Sequence, residues 1–215
     1  MSSAGSSPLI LATRSLGKLH ELGPMLAASG IATVTLDAAG IPEHAADEEG
    51  LEHFDTFEDN ALAKARYFFE RAGRRPTAAD DSGLEVVALG GRPGVRTKRW
   101  SGRTDLSGRA LDAANNAKML SELSGVADRR ARYVCVAAYI DAQGERVFRG
   151  ESTGRILDAA RGTGGFGYDP LFLSDDLGVT FAEATREQKE QVSHRGRAFA
   201  QLAEWVTRTS RRSSG

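Results

Sequence analysis

A chain of 215 residues is long enough to bury one substantial core, and a formal charge of −1 with a pI near 6.4 gives no basic field for binding nucleic acid polymers. A composition of 40% hydrophobic and 27% charged residues is that of an ordinary soluble globular protein, and the longest strongly apolar run, Val134 to Ile140, is too short to span a membrane. Cys135 is the only cysteine, which excludes an intramolecular disulfide, and the Ser-rich start from Met1 to Pro8 lacks the basic and apolar parts of a secretory signal, so a cytoplasmic location is expected.

In chain order, Leu9 to Thr13 reads as a first strand. It opens into Arg14-Ser15-Leu16-Gly17-Lys18 and an amphipathic helix on which Leu19, Leu22 and Leu26 share a face. A strand, a polar loop and a lysine at a helix start make a general anion site, because backbone N–H groups and an ammonium can hold phosphate oxygens. The P-loop pattern is absent, and a plain solvated Lys18 is the other reading. Ile31 to Leu36 alternates like a strand, and Asp37 to Asp55 runs loop-like and acidic, carrying Asp47, Glu48, Glu49 and Glu52. Thr56 is a natural N-cap for a helix with Glu58 and Asp59 in its first turn and Gly73 at its end. Asn60 and Lys64 lie one turn apart on it and face the same side.

Pro76 to Ala79 reads as a short strand entering Asp80-Asp81-Ser82-Gly83, and Leu84 to Leu89 as a second apolar run leaving it. Adjacent carboxylates at a strand end, with a glycine to let the backbone turn, suit Mg²⁺, which takes oxygen ligands and keeps waters. An Asx turn or a helix N-cap accounts for the same residues. A turn-rich loop, Gly90 to Val95, then leads to Arg99-Trp100-Ser101-Gly102 and a helix within Leu106 to Leu123. Arg132 to Ile140 and Glu145 to Gly154 read as two strands of a hairpin around Asp141-Ala142-Gln143-Gly144.

Gly162 to Pro170 matches G-x-G-x-x-G by position, but Asp169-Pro170 forbids the helix that a dinucleotide fingerprint requires. What remains is a glycine-rich loop presenting Phe166 and Tyr168 as a base-stacking platform, with two core-plugging aromatics as the alternative. Thr180 to Lys189 reads as a charged helical segment, and Ser193-His194-Arg195-Gly196-Arg197 leads into a last helix from Ala198 to Val206. Residues 1–8 and 208–215 are expected as disordered tails around a single domain over 9–207. His20, His44, His53 and His194 lack any metal-ligand spacing, which argues against zinc.

Four stretches in register carry a resemblance: Phe57-Glu58-Asp59-Asn60-Ala61 with Lys64-Ala65, Ala79-Asp80-Asp81-Ser82-Gly83-Leu84, Gly164-Gly165-Phe166-Gly167-Tyr168-Asp169-Pro170, and Ser193-His194-Arg195-Gly196. From Leu9 to about Leu202 the chain resembles the inosine triphosphate pyrophosphatase family, also called the HAM1-like nucleotide pyrophosphatases. The resemblance implies an α/β fold, a long twisted mixed sheet flanked by helices, in two lobes with a central cleft and usually paired as a homodimer. It also implies Mg²⁺-dependent hydrolysis of deaminated purine triphosphates (ITP, dITP, XTP) to the monophosphate and pyrophosphate, which cleanses the nucleotide pool.

By matching position, Asp81 is the catalytic carboxylate and a metal ligand, Asp80 stands as the alternative base, and Ser82 lies beside them on substrate. Counting back from Asn60 without a gap places the second metal-binding acid at Glu52, with Glu48 and Glu49 as substitutes. Thr13, Arg14, Ser15, Leu16, Gly17 and Lys18 would hold the triphosphate, with Asn60, Lys64 and Arg99 as further substrate-binding positions. Phe166, Gly167, Tyr168, Asp169, Lys189, His194 and Arg195 would surround the base.

The chain departs from the family pattern in three places. Thr13-Arg14-Ser15 stands where Thr-Gly-Asn or Ser-Arg-Asn is usual, Glu52-His53-Phe54 replaces Glu-Thr-Gly, and Thr97-Lys98-Arg99 replaces Ser-Ala-Arg. These departures keep two alternatives in view: a specialised nucleotide hydrolase of a biosynthetic pathway, and a nucleotide-binding paralogue with impaired catalysis.

Overall fold

Short apolar runs and well-capped amphipathic segments form seven strands and five α-helices in the computed structural model, which describes residues 7–42 and 45–212 apart from the side chains of 46, 49 and 210–212. The elements are β1 (Leu9–Leu11), α1 (Leu16–Ala28), β2 (Thr33–Thr35), α2 (Phe57–Arg71), β3 (Thr77–Val86), β4 (Pro93–Gly94), α3 (Gly108–Glu122), β5 (Arg130–Asp141), β6 (Gly144–Ile156), β7 (Phe172–Ser174), α4 (Arg186–Val192) and α5 (His194–Arg212). The strands form one sheet in the order β2-β1-β3-β5-β6-β7, with β4 on β3. β1 runs parallel to β2 and β3, whereas β4 and β7 are antiparallel to β3 and β6, so the sheet is mixed. The fold is therefore the expected α/β arrangement. No described helix is long and apolar enough to cross a membrane.

The chain divides into two compact units. The first comprises residues up to Asp81, 136–148 and 198 onward; the second comprises 82–135 and 149–197. In the first, α1 starts where Ser15 caps the Lys18 N–H, and α2 starts where Thr56 caps the Asp59 N–H. Glu58 and Asp59 sit in the first turn of α2, complementing the positive end of its dipole. The inward face of α2 carries Phe57, Ala61, Ala65, Phe68 and Phe69, but also Asn60 and Lys64. Two polar residues one turn apart on a buried face mark a site, since such groups stay buried only with partners.

In the second unit, Tyr133, Phe172 and Phe181 anchor the apolar core, with ring centroids 4.8 Å apart for Tyr133–Phe172 and 5.0 Å for Phe172–Phe181. Thr185 and Gln188 form a reciprocal capping box that starts α4.

Several boundaries differ from the sequence reading. The two runs flanking Asp80-Asp81 are one uninterrupted strand, β3, so these carboxylates lie within a strand and not in a turn or at a helix cap. Ladder pairing along β3 overrides the turn preference of Asp-Asp-Ser-Gly. Residues 46–50 form a single 3₁₀ turn within the acidic stretch. The fourth helix begins only at Arg186, after Thr185, because the Glu183 carboxylate takes the Thr180 N–H at 2.9 Å in a turn of its own. The last helix starts four residues early, at His194, and continues past Val206 to Arg212. Of the expected tails, residues 1–6 and 213–215 lie outside the described residues.

Gly196 in α5 packs against the last turns of α4 so closely that a Cβ there would stand 1.8 Å from the Glu190 carbonyl oxygen. Backbone cannot yield like a flexible side chain, so Gly196→Ala is expected to cost about 1–3 kcal/mol. Urea unfolding followed by circular dichroism should show a lower midpoint with an unchanged slope.

Candidate active site

The first unit gathers three acids around two lysines. Lys64, on the buried face of α2, donates to the backbone carbonyl of Asp80 at 2.7 Å and forms an ion pair with Glu52. Lys18, in the first turn of α1, forms an ion pair with the Asp80 carboxylate at 2.8 Å. Asn60, one turn before Lys64, donates through Nδ2 to Asp81 Oδ2 at 2.9 Å. The same amide clamps the backbone of Phe54, accepting its N–H at 2.9 Å and donating to its carbonyl at 3.2 Å. Asn60 thus ties the Glu52-His53-Phe54 loop to the Asp81 carboxylate. That loop takes its shape without the usual glycine, and the His53 and Phe54 rings pack at 4.0 Å.

Three carboxylates against two ammoniums leave an excess of negative charge, which acts together with burial on Asp81, Glu52 and Lys64. Burial, reinforced by the charge of Glu52, pushes the Asp81 carboxyl up to about 6, with Lys64, Lys18 and the Asn60 hydrogen bond pulling the other way. Burial works against ionisation of Glu52 as well, yet Lys64 and Lys18 hold its carboxyl below the usual range. Burial opposes the Lys64 ammonium most strongly, but Glu52, Asp80 and Asp81 together raise its affinity for the proton.

Among the described residues no three His, Cys, Asp or Glu side chains form a ready-made metal cage. Mg²⁺ does not need one, since one or two carboxylates plus substrate phosphates and waters suffice. The donors are hard oxygens, and the Asp81 carboxylate is an anion held at a cost that a divalent cation would relieve. Asp81 and Glu52 therefore fit a magnesium ion.

Not all of the expected phosphate loop faces this cluster. Thr13 and Ser15 order the loop, with Thr13 Oγ1 accepting the Ser15 N–H at 3.1 Å and Ser15 Oγ receiving the Lys18 N–H at 3.4 Å. Gly17 lies in the first turn of α1, and Leu16 is 70% exposed. Arg14 points elsewhere: its guanidinium grips Glu48 at 2.9 and 3.1 Å and donates to the Ile41 carbonyl at 2.8 Å. This pairing removes Arg14 from the lysine cluster and Glu48 from the acid cluster. The Glu49 side chain and His44 lie outside the described residues. Of the three acids weighed for the second metal position, the structure brings Glu52 to Lys64, Asp80 and Asp81.

The second unit holds a different constellation. The Asp169 carboxylate accepts from Lys189 Nζ at 2.7 Å and from the Phe166 N–H at 2.9 Å. Lys189 lies 5.1 Å from the Phe166 ring centroid and the Arg195 guanidinium 5.6 Å, while Arg195 donates to Ser82 Oγ at 2.9 Å. His194 stacks on Tyr133 at 4.5 Å with the rings nearly parallel. The loop can only be built with glycine at 165, where φ is +67° and a Cβ would meet Asp169 Oδ2 at 2.1 Å.

One expectation fails here. Tyr168 is not part of a stacking surface: it is 2% exposed, sits in the apolar core and donates its hydroxyl to the Thr97 carbonyl at 2.9 Å. Burial keeps that hydroxyl protonated. Phe166, 37% exposed, is the aromatic this loop presents. Gly167 bonds to Asp112 and Asn116 of α3, neither of which the sequence reading gave a role; their only signal was a four-residue spacing on one helix. Arg99 ends a 3₁₀ turn, Thr97–Arg99, held by Asn115 Nδ2 on the Lys98 carbonyl at 3.0 Å and by Tyr168.

Residues 9–205 match the model of the Ham1 family. A dITP/XTP pyrophosphatase of Mycolicibacterium paratuberculosis is 48% identical over 199 residues, which cover 91% of this chain and 94% of that protein. Among solved structures, a HAM1 protein from Coxiella burnetii superposes with a TM-score of 0.79 at 32% identity, covering 94% of this chain and 98% of the other. A nucleoside-triphosphatase / dITP/XTP pyrophosphatase from Mycobacterium abscessus gives 0.68 at 41% identity, covering 91% and 98%.

The raised Asp81 carboxyl has a consequence for stability. Unfolded, this group titrates near 3.8, and folded near 6. The folded state binds the proton more tightly, so its contribution is fully present below about pH 4 and is lost as pH rises through about 6. Asp81→Asn keeps an acceptor for Asn60 and removes the charge, so the variant should be more stable than the parent above pH 6. The gap should be on the order of 2–3 kcal/mol and close below about pH 4. Thermal unfolding in EDTA-containing buffer across that range measures it.

Proposed function

The chain belongs to the Ham1 family, and from that membership and its two polar clusters we propose that it hydrolyses nonstandard purine nucleoside triphosphates, such as dITP, XTP and ITP, to the monophosphate and pyrophosphate. The observation that carries the proposal is the convergence of Lys18, Lys64, Glu52, Asp80 and Asp81, an acid set suited to Mg²⁺ set among cations suited to a phosphate chain. We assign the triphosphate to this acid–lysine cluster and the purine to the cluster around Phe166.

Mg²⁺ held by Asp81 and Glu52 would polarise the phosphate chain and offset its charge. Asp80 is fully buried and committed to Lys18, which leaves Asp81 as the carboxylate to take a proton from the water attacking the α-phosphorus. Without the ion that carboxyl titrates at about 6; holding Mg²⁺ would lower its proton affinity and keep it ionised at neutral pH. Lys18 and Lys64 meet the charge that grows on departing pyrophosphate.

At the base, Phe166 offers its ring for stacking while Lys189 and Arg195 offer donors. Hypoxanthine and xanthine present a keto oxygen at position 6 to those donors, whereas adenine presents an amino group, a donor set against donors. A mispaired buried polar group costs about 1–3 kcal/mol, enough to reject ATP by roughly ten- to a hundredfold. A cytoplasmic homodimer with residues 9–207 acting as one domain belongs to the same proposal.

Purified protein with Mg²⁺ should release pyrophosphate and the monophosphate from dITP or XTP far faster than from ATP, with products separated by anion-exchange chromatography. Asp81→Asn should lower kcat by roughly 10²–10⁴-fold. Equal turnover of ATP, or full activity in the Asn variant, would sink the proposal.

A further inference from the structure

Phe166 is too exposed for core packing to fix its ring, so backbone bonds must do so. The loop's own bond, Phe166 N–H to Asp169, secures one side of the residue. The next peptide is held from outside the loop. The Gly167 N–H donates to Asp112 Oδ2 at 2.9 Å, and Asn116 Nδ2 donates to the Gly167 carbonyl at 3.0 Å. Asp112 and Asn116 lie four residues apart on α3, hence one above the other on a single face. Their carboxylate and amide complement the N–H and C=O of one glycine.

Gly167 has φ +63°, a conformation that glycine adopts freely but does not by itself prefer to others. Within the loop one long turn bond restrains this stretch, the Asp169 N–H to the Phe166 carbonyl at 3.3 Å, and the two shorter bonds from α3 are what fix the Gly167 peptide itself. Two cations, Lys189 at 5.1 Å and Arg195 at 5.6 Å, also draw on the Phe166 ring, so its attitude depends on how firmly the backbone beneath it is gripped.

We infer that Asp112 and Asn116 are positioning residues for base recognition: by clamping both polar groups of Gly167 they set the angle at which Phe166 meets the purine. The inference rests on the nucleotide reading above. Stacking requires the two planes to be offset but near parallel, so a ring free to swing loses affinity for the base while the acid–lysine cluster keeps its chemistry. The clamp therefore acts on KM for the nucleotide and leaves kcat and the affinity for free pyrophosphate untouched.

Steady-state kinetics with XTP or dITP, and inhibition by pyrophosphate, test this on four proteins: the parent, Asp112→Ala, Asn116→Asp and Asp112→Asn. Asp112→Ala deletes the acceptor for the Gly167 N–H, and Asn116→Asp is isosteric but removes the donor to the Gly167 carbonyl. Each should raise KM roughly tenfold, with kcat within about twofold of the parent and an unchanged pyrophosphate inhibition constant. Asp112→Asn retains an acceptor and should recover most of the loss. Should the alanine variant fail to fold, the two isosteric variants still decide the matter. An active parent whose variants share its KM, or lose kcat and pyrophosphate affinity together with KM, overturns the clamp alone. A parent inactive on both nucleotides overturns the nucleotide reading and the clamp with it.

Discussion

A buried ammonium surrounded by carboxylates is the constraint on which the first unit depends. Lys64 could not remain charged at its depth in α2 without Glu52, Asp80 and Asp81 around it, because desolvation of a lone ammonium costs more than any packing gain returns. The acids are equally dependent on the lysines. Lys18 and Lys64 draw on the carboxylates, but burial and the charge of Glu52 outweigh them at Asp81, whose carboxyl rises to about 6. That residual strain is not an error of folding. It leaves a proton acceptor near neutrality, in a place where a divalent cation and a phosphate chain would complete the charge balance.

The rest of the unit serves to hold these groups in register. The Thr56 cap fixes where α2 begins, and so which face carries Asn60 and Lys64. Asn60 then ties the Phe54 backbone to the Asp81 carboxylate, fixing the loop that delivers Glu52. The second unit uses the same physics with other parts. Asp169 pairs with Lys189 and takes the Phe166 N–H, so one carboxylate both neutralises a buried cation and shapes an aromatic loop. The close approach of Asp169 leaves no room for a Cβ at 165, which ties the glycine pattern of the loop to its ion pair.

Local signals were legible in the sequence wherever local physics decided the outcome. The cap of α2, the one-turn spacing of Asn60 and Lys64, and the failure of the dinucleotide pattern at Asp169-Pro170 all follow from chain chemistry over a few residues. The strand through Asp80-Asp81 was not legible, because turn-favouring residues were overruled by sheet pairing that only the fold supplies. Tyr168 misled for a related reason: beside glycines it read as presented, but Thr97, seventy-one residues away, takes its hydroxyl and the core takes its ring. Arg14 was placed on phosphate by position, whereas its partner Glu48 was visible only after folding. Asp112 and Asn116 carried a helical spacing and nothing more until Gly167 was seen between them.

The central claim is that burial and the charge of Glu52 hold the Asp81 carboxyl well above the usual aspartate range and that Mg²⁺ relieves this. Carbon-13 NMR titration of the Asp81 side-chain carboxyl, first without metal and then with Mg²⁺, tests this on the intact protein. A midpoint near pH 6 without metal, moving to lower pH when Mg²⁺ is added, is the expected result. A midpoint in the ordinary aspartate range that Mg²⁺ does not move would contradict it.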